Sequence, residues 1–460
     1  MTAIDYIIIV AYLAALLIIG FTRRSGREES AGGFILGGRM LTLPAFVATL
    51  VSSWYGGILG VGEFTFRYGI SNWLVFGVPY YIAALIFALF LAKKARDADV
   101  LTIPDRLDAV YGRPTAVAGS VILFLMTLPG AYILMLAVLL EFLFGWPLWL
   151  GAVLGAIFSL FYVHLGGFRS VVRTDIFQFA LMFAGFGILF IFLVTGYGGF
   201  DFIKSSVPDT HLTWHGGNSG WYIAIWYVIA LATLIEPTFY QRCYAARSAS
   251  VARKGIFWSI LFWVVFDFLT TSCGLYARAV LPDLADPIAS FPALARVVLP
   301  SGLLGLFALA LLATVMSTVD SYSFLAASTF SRDIIWRIFK IPENQITYYT
   351  RLGLILSAAI AILAALFFES VVDIWHHFGS VGTPALLVPL FFAFNGNRRM
   401  PPKTSFWAVL LPGLLSLAWL LSGYINSDGT YWLGIEPIFP GLLLSILFYI
   451  FGSRRLADID

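Results

Sequence analysis

Apolar runs of about 20 residues recur along the whole chain, and each is long enough to cross a hydrocarbon core as a helix. Thirteen such runs are read, near 4–21, 41–66, 73–92, 115–143, 146–165, 174–196, 221–240, 255–279, 302–330, 347–368, 371–394, 405–423 and 437–452. Composition agrees. The chain is 60% hydrophobic and 12% charged, whereas an ordinary soluble domain is about a quarter charged. The expected fold class is an all-α integral membrane protein with about 13 transmembrane helices. No soluble domain is expected, and residues 1–460 read as one membrane domain embedded in the lipid bilayer. Asp5 stands before the first run, where a signal peptide has basic residues, so this run reads as a retained helix.

The charges orient these helices. With the N-terminus placed outside, every second loop falls inside. Those loops hold Arg23, Arg24, Arg27, Lys93, Lys94, Arg96, Arg169, Arg173, Arg242, Arg247, Arg253, Lys254, Arg332, Arg337, Lys340, Arg398 and Arg399, among others. The opposite side holds only Arg67, Lys204, Arg278 and Arg296. This is the positive-inside asymmetry. It predicts an odd number of spans, the N-terminus outside and the C-terminus in the cytoplasm, in a plasma membrane. The net charge of +3 is then a topology signal and not a nucleic-acid patch. Cys243 and Cys273 are the only cysteines and have no metal spacing, so neither a disulfide framework nor a zinc site is implied.

Two runs look interrupted. The second contains "SSWYGGILGVGEF", with Gly56, Gly57, Gly60 and Gly62, and the seventh contains "ALATLIEPTFYQR", with Glu236 and Pro237 in its middle. Glycine weakens a helical ladder, and proline removes a backbone donor. In hydrocarbon such a break is tolerated only against protein or a water-filled cavity. Glycines also serve plain close helix packing. The spacing favours the first reading. The breaks lie five helices apart, and paired broken helices in two five-helix units point to a transporter site at the midplane.

The ninth run carries polar residues. Thr314, Ser317, Thr318 and Ser321 recur at i, i+3, i+4 and i+7 and share one helix face. Asp320 borders that face. An Asp at the centre of a spanning helix costs about 2.5–3.5 kcal/mol on insertion scales, so it is expected to face the bundle interior. Hydroxyl, carbonyl and carboxylate oxygens suit a small hard cation. Hydroxyls that bond back to the preceding turn are the alternative.

Several pieces of the chain carry a family resemblance: "FILGGRMLTLP", "GVGEFTFRYG", "LTIPDRLDAVYGR", "GGFRSVVRTDIFQ", "QRCYAARSASVARKG" and "MSTVDS…FSRDI", in that order over nearly the whole length. On these the chain resembles the sodium/solute symporter family. The resemblance implies a leucine-transporter-type fold of two inverted five-helix repeats, with one extra helix before and two after. The repeats would cover about 41–196 and 221–394, with helix 4–21 peripheral and two C-terminal helices at about 405–452. It also implies a sodium ion held by the carbonyls of Leu50, Ser53 and Thr314 and the hydroxyls of Ser317 and Thr318. Some family members use a second sodium, for which Asp175, Ser317, Asp320 and Ser321 are the candidates here. Asp175 also reads as a helix N-cap, since Asp is favoured there.

For the solute, the first break offers Ser52, Trp54, Tyr55 and Gly57. The third helix offers Phe76 and Tyr80. The second break offers Thr233, Glu236 and Phe239. Aromatic rings with a few polar groups are what a small-molecule pocket needs. His376 and His377 are adjacent and point about 100° apart on a helix, so they cannot chelate one metal together; His376 reads as pocket-lining. Asp267 is a second intramembrane acid with no assigned role. The expected function is inward, sodium-driven symport of a small organic solute by alternating access. The chain carries no catalytic constellation, so it is not expected to be an enzyme. Sodium is the only metal expected, no cofactor is, and no feature calls for an obligatory protein partner. Proton coupling through Glu236, Asp267 or Asp175 stays open at this level, as does a transporter-like membrane sensor.

Overall fold

The computed structural model describes residues 1–21, 31–368, 371–426 and 429–455. Arg23, Arg24 and Arg27 lie outside the described residues. The described chain is almost wholly helical, with one two-residue antiparallel strand pair, Arg398–Arg399 against Arg454–Arg455. Ten of the described helices are long and apolar enough to cross a membrane. The other three predicted runs fall on shorter apolar helices, Ala3–Ile19, Leu148–His164 and Ile438–Gly452.

Both expected breaks are present. The first broken helix runs Leu43–Ser52, passes through a 3-10 turn at Tyr55–Gly57, and resumes as Ile58–Tyr68. The second runs Gly220–Ile229, tightens into a 3-10 stretch at Ala230–Ile235, and restarts as Pro237–Ala245. Glu236 between them is extended, with φ −65° and ψ 114°. Pro237 thus opens a helix, where its missing N–H costs nothing and its fixed φ is already helical.

Residues 166–173, expected as a loop, are helical instead. Within Leu148–Tyr197 two helices meet at one non-helical residue, Gly167, at φ 58° and ψ −152°, with no loop between them. That positive φ suits glycine, and a Cβ there would meet the Phe34 ring at 2.8 Å. The chain can turn sharply at Gly167 and keep its hydrogen-bonded ladder on both sides. A further helix, Ser290–Val298, lies where no span was expected.

Leu303–Ser328 is the central element, with every residue from Phe307 to Ser328 buried. It packs chiefly on the kinked Leu148–Tyr197 helix. Lipid tails are as apolar as leucine, so helices associate here by close packing between small residues. Gly185 meets Ala310 at this contact so closely that a Cβ on the glycine would strike the alanine side chain.

Candidate functional site

The polar face of Leu303–Ser328 is aimed at the first break. The Ser317 hydroxyl donates to the Ser52 carbonyl at 2.8 Å and lies 3.0 Å from the Thr314 carbonyl. The Thr318 hydroxyl donates to the Ser53 carbonyl at 3.1 Å. The carbonyls of Ser52 and Ser53 can be reached sideways because the ladder loosens where that helix ends. Thr314 turns its own hydroxyl back to Ala310 at 2.7 Å and presents only its carbonyl. The oxygens at this point are therefore hard, uncharged and contributed by two helices. Of the carbonyls expected from the first break, Ser53 is in place. Ser317 reaches the carbonyl of Ser52, which was not among those expected.

Of the residues expected for a second ion, Asp175 and Ser321 meet around one side chain of the protein, and Asp320 lies apart from them. Asp320 turns toward the kinked helix and accepts hydrogen bonds from Ser159 and Tyr162. Asp175 lies well inside its helix and fully buried, so it is not an N-cap. Its carboxylate accepts from Thr49 and stands 3.5 Å from the guanidinium of Arg242. The same Arg242 nitrogen donates to Ser321 at 2.7 Å, Ser53 at 2.9 Å and Thr49 at 3.1 Å. Arg242 was expected in an inside loop. It is instead buried on Pro237–Ala245, with Phe168 under its guanidinium. The protein thus places a cation of its own among Asp175, Ser53 and Ser321.

Between the two breaks lies a cavity of about 170 Å³. Trp54, Tyr55, Gly57, Phe76, Tyr80, Thr233 and Glu236 line it, as expected. Ser52, Phe239 and His376 do not. The Ser52 hydroxyl turns back to the Thr49 carbonyl at 3.5 Å, and Phe239 packs against Trp54 with ring centroids 5.4 Å apart. His376 faces Glu436 at 2.9 Å and stacks on Tyr431, outside the cavity. Its neighbour Trp375 takes the inward position instead. One residue along a helix is a rotation of about 100°, which is enough to exchange the two. A Cβ on Gly57 would strike the Trp375 ring, so the glycine lets the indole approach the break.

Four polar or charged lining residues were not assigned to the solute from the sequence: Tyr81, Tyr132, Asp267 and Tyr322. Asp267 accepts from the Tyr55 hydroxyl at 2.6 Å and from Tyr81. Tyr322 follows Thr318 by four residues and so was readable as an extension of the ion-site face. Tyr132 meets it at a ring distance of 4.9 Å, a contact that no local pattern signals. Glu236 accepts from the backbone N–H of Thr238 at 3.3 Å and its hydroxyl at 3.2 Å, capping the restarted helix.

At the far end of the hydroxyl helix, Arg337 joins Asp105 at 2.7 Å, Asp108, and Asp333 at 3.5 Å, while Thr102 donates to Asp333 at 2.6 Å. This network ties the short Ile103–Tyr111 helix to the "FSRDI" segment.

Comparison with known proteins gives a consistent picture. A family model described as "Sodium:solute symporter family" matches residues 34–411. The osmoregulated proline transporter OpuE of Bacillus subtilis (strain 168) is 27% identical over 95% of this chain and 92% of its own length. The sodium/pantothenate symporter of Escherichia coli (strain K12) is 25% identical over 97% and 95%. Among solved structures, a Na+-coupled sialic acid symporter in a substrate-bound outward-open state superposes with a TM-score of 0.80. It shares 18% identity and is covered in full by 99% of this chain.

Proposed function

The chain belongs to the sodium:solute symporter family and is a multi-pass, sodium-coupled solute symporter, and from that premise we propose where its ion and solute sit. The coupling sodium is held by the hydroxyls of Ser317 and Thr318 with the carbonyls of Ser52, Ser53 and Thr314. The observation that carries this is the pair of hydroxyl-to-carbonyl contacts across the first break, at 2.8 and 3.1 Å. They bring hard oxygens from two helices to one point, and a sodium ion there ties the helices together. The solute occupies the cavity between the breaks, one turn away along the same helix at Tyr322.

One sodium moves per cycle, because Arg242 already supplies the positive charge among the oxygens of Asp175, Ser53 and Ser321. The chain crosses a plasma membrane thirteen times with its N-terminus outside, and residues about 41–196 and 221–394 form the two inverted repeats. Solute and sodium cross unchanged, with no cofactor.

Sodium-dependent thermal stabilisation of the purified protein tests this reading. Sodium, but not potassium, should raise the melting temperature of the wild type, and Ser317→Ala with Thr318→Ala should abolish that rise. A sodium response that survives both substitutions removes the assignment. Uptake that ignores sodium and follows pH replaces it with proton coupling.

A further inference from the structure

We infer that the cavity recognises its solute through a positively charged nitrogen, an organic ammonium or quaternary ammonium group. This rests on the symport reading and narrows it. Six aromatic rings line the cavity: Trp54, Phe76, Tyr80, Tyr132, Tyr322 and Trp375. Adjacent rings meet edge to face or tilted, with Trp54 to Tyr80 at 5.7 Å, Tyr132 to Tyr322 at 4.9 Å and Phe76 to Trp375 at 6.4 Å. A cavity ringed by aromatic side chains can attract a cation through the ring quadrupoles and offers an anion no such attraction.

The charges point the same way. Glu236 and Asp267 both line the cavity, and none of its lining residues is Lys, Arg or His. The fully buried Arg242 on Pro237–Ala245 is committed to Asp175, Ser53 and Ser321. Asp267 accepts two tyrosine hydroxyls, and a carboxylate offers about four lone-pair sites, so acceptor capacity remains. Glu236 occupies the N-terminus of Pro237–Ala245. That helix end would otherwise attract a solute carboxylate, and a carboxylate of the protein already fills it. A further polar atom has no protein partner. Thr233 lines the cavity, only 1% of the residue is exposed, and its hydroxyl oxygen makes no hydrogen bond. It is free to receive one from a solute N–H or O–H.

The cavity is close in size to an engineered pocket of about 150 Å³ that admits benzene. The solute is therefore small. Its positive nitrogen sits among the rings near Glu236 and Asp267, and any hydroxyl or second N–H reaches Thr233.

The test uses full-length protein in detergent and in liposomes. Short primary, secondary and quaternary alkylammonium ions are screened by thermal shift with and without sodium. Each is paired with its uncharged carbon isostere, and glucose and pantothenate complete the panel. An ammonium compound should stabilise the protein in the presence of sodium and bind about tenfold or more tightly than its isostere. Glu236→Gln and Asp267→Asn should each weaken it, while sodium alone still stabilises both variants and so reports that they fold. A panel in which no ammonium compound binds, or in which glucose or pantothenate is the sodium-dependent ligand, overturns the inference and leaves sodium symport intact. Ammonium uptake that does not respond to a sodium gradient overturns the symport reading and leaves the inference standing.

Discussion

The guanidinium of Arg242 lies 3.5 Å from the carboxylate of Asp175, and both side chains are fully buried. Two charges removed from water hold each other in place, and removing one leaves the other uncompensated. The same guanidinium bonds Ser53, whose carbonyl receives Thr318. The second broken helix, which carries Glu236 toward the solute, is thereby tied to the proposed ion site on the first.

Arg242→Ala should destabilise the protein by about 3–5 kcal/mol, as for other broken buried pairs. Adding Asp175→Asn to that variant should recover part of the loss, because the stranded charge is then gone. Thermal unfolding of the two variants measures this. Equal stability of wild type and Arg242→Ala would show that the pair does not operate.

The same arginine fixes the expected stoichiometry. Reversal potentials in proteoliposomes should give one sodium per solute. A ratio of two would mean that a sodium ion shares or displaces the arginine, and the one-ion reading would fall.

The ion site predicts a graded response. Thr318→Ser keeps the hydroxyl and should leave sodium affinity within a few fold. Thr318→Ala and Ser317→Ala each remove an oxygen donor, a loss of about 1–3 kcal/mol, or roughly fivefold to 150-fold in affinity. Sodium titrations followed by tryptophan fluorescence read the difference, and Trp54 beside the break is a natural reporter.

Gly57→Ala should impair solute binding more than sodium binding. The added methyl meets the Trp375 ring, and overpacking of this kind costs about 1–3 kcal/mol. The indole must then move into the cavity. Unchanged solute affinity in this variant would mean that Trp375 does not form a wall of the site.

A pH effect is expected away from the membrane interior. His211 is buried in the loop before Gly220, with its Nε2 at 3.0 Å from the Phe66 carbonyl. Burial holds its pKa below the ordinary 6.5, with the Phe66 carbonyl opposing and Arg278 adding to the shift. A neutral ring is therefore favoured in the folded loop. Stability from this group is complete above about pH 6.5 and is lost as pH falls below that value. The protection factors of residues 209–216, which are exchange rates corrected for the intrinsic pH dependence, should fall between pH 6.5 and 5, and His211→Gln should remove that fall.

Much of the architecture was legible because the bilayer imposes it. Run length gives the helices, and the need to satisfy every backbone group makes Gly56, Gly57 and Pro237 conspicuous. Ser317 and Thr318 were legible for a related reason, since hydroxyls at helical spacing in a hydrophobic run define a face. The cavity was half legible. Trp54 and Glu236 sit on the breaks, whereas Trp375 was hidden beside His376 by a rotation of one residue.

The sequence by itself determined the spanning helices, the two breaks and the hydroxyl face, because each is set by periodicity or backbone chemistry within one segment. The tertiary structure alone decided what those pieces face. Arg242 counts as a loop charge along the chain, and only the path of the restarted helix after Glu236 carries it inward to Asp175. Tyr132, Tyr322 and Asp267 become cavity walls only when helices far apart in sequence pack together. Contacts of that kind depend on side-chain shape across an interface, which no local pattern of residues encodes.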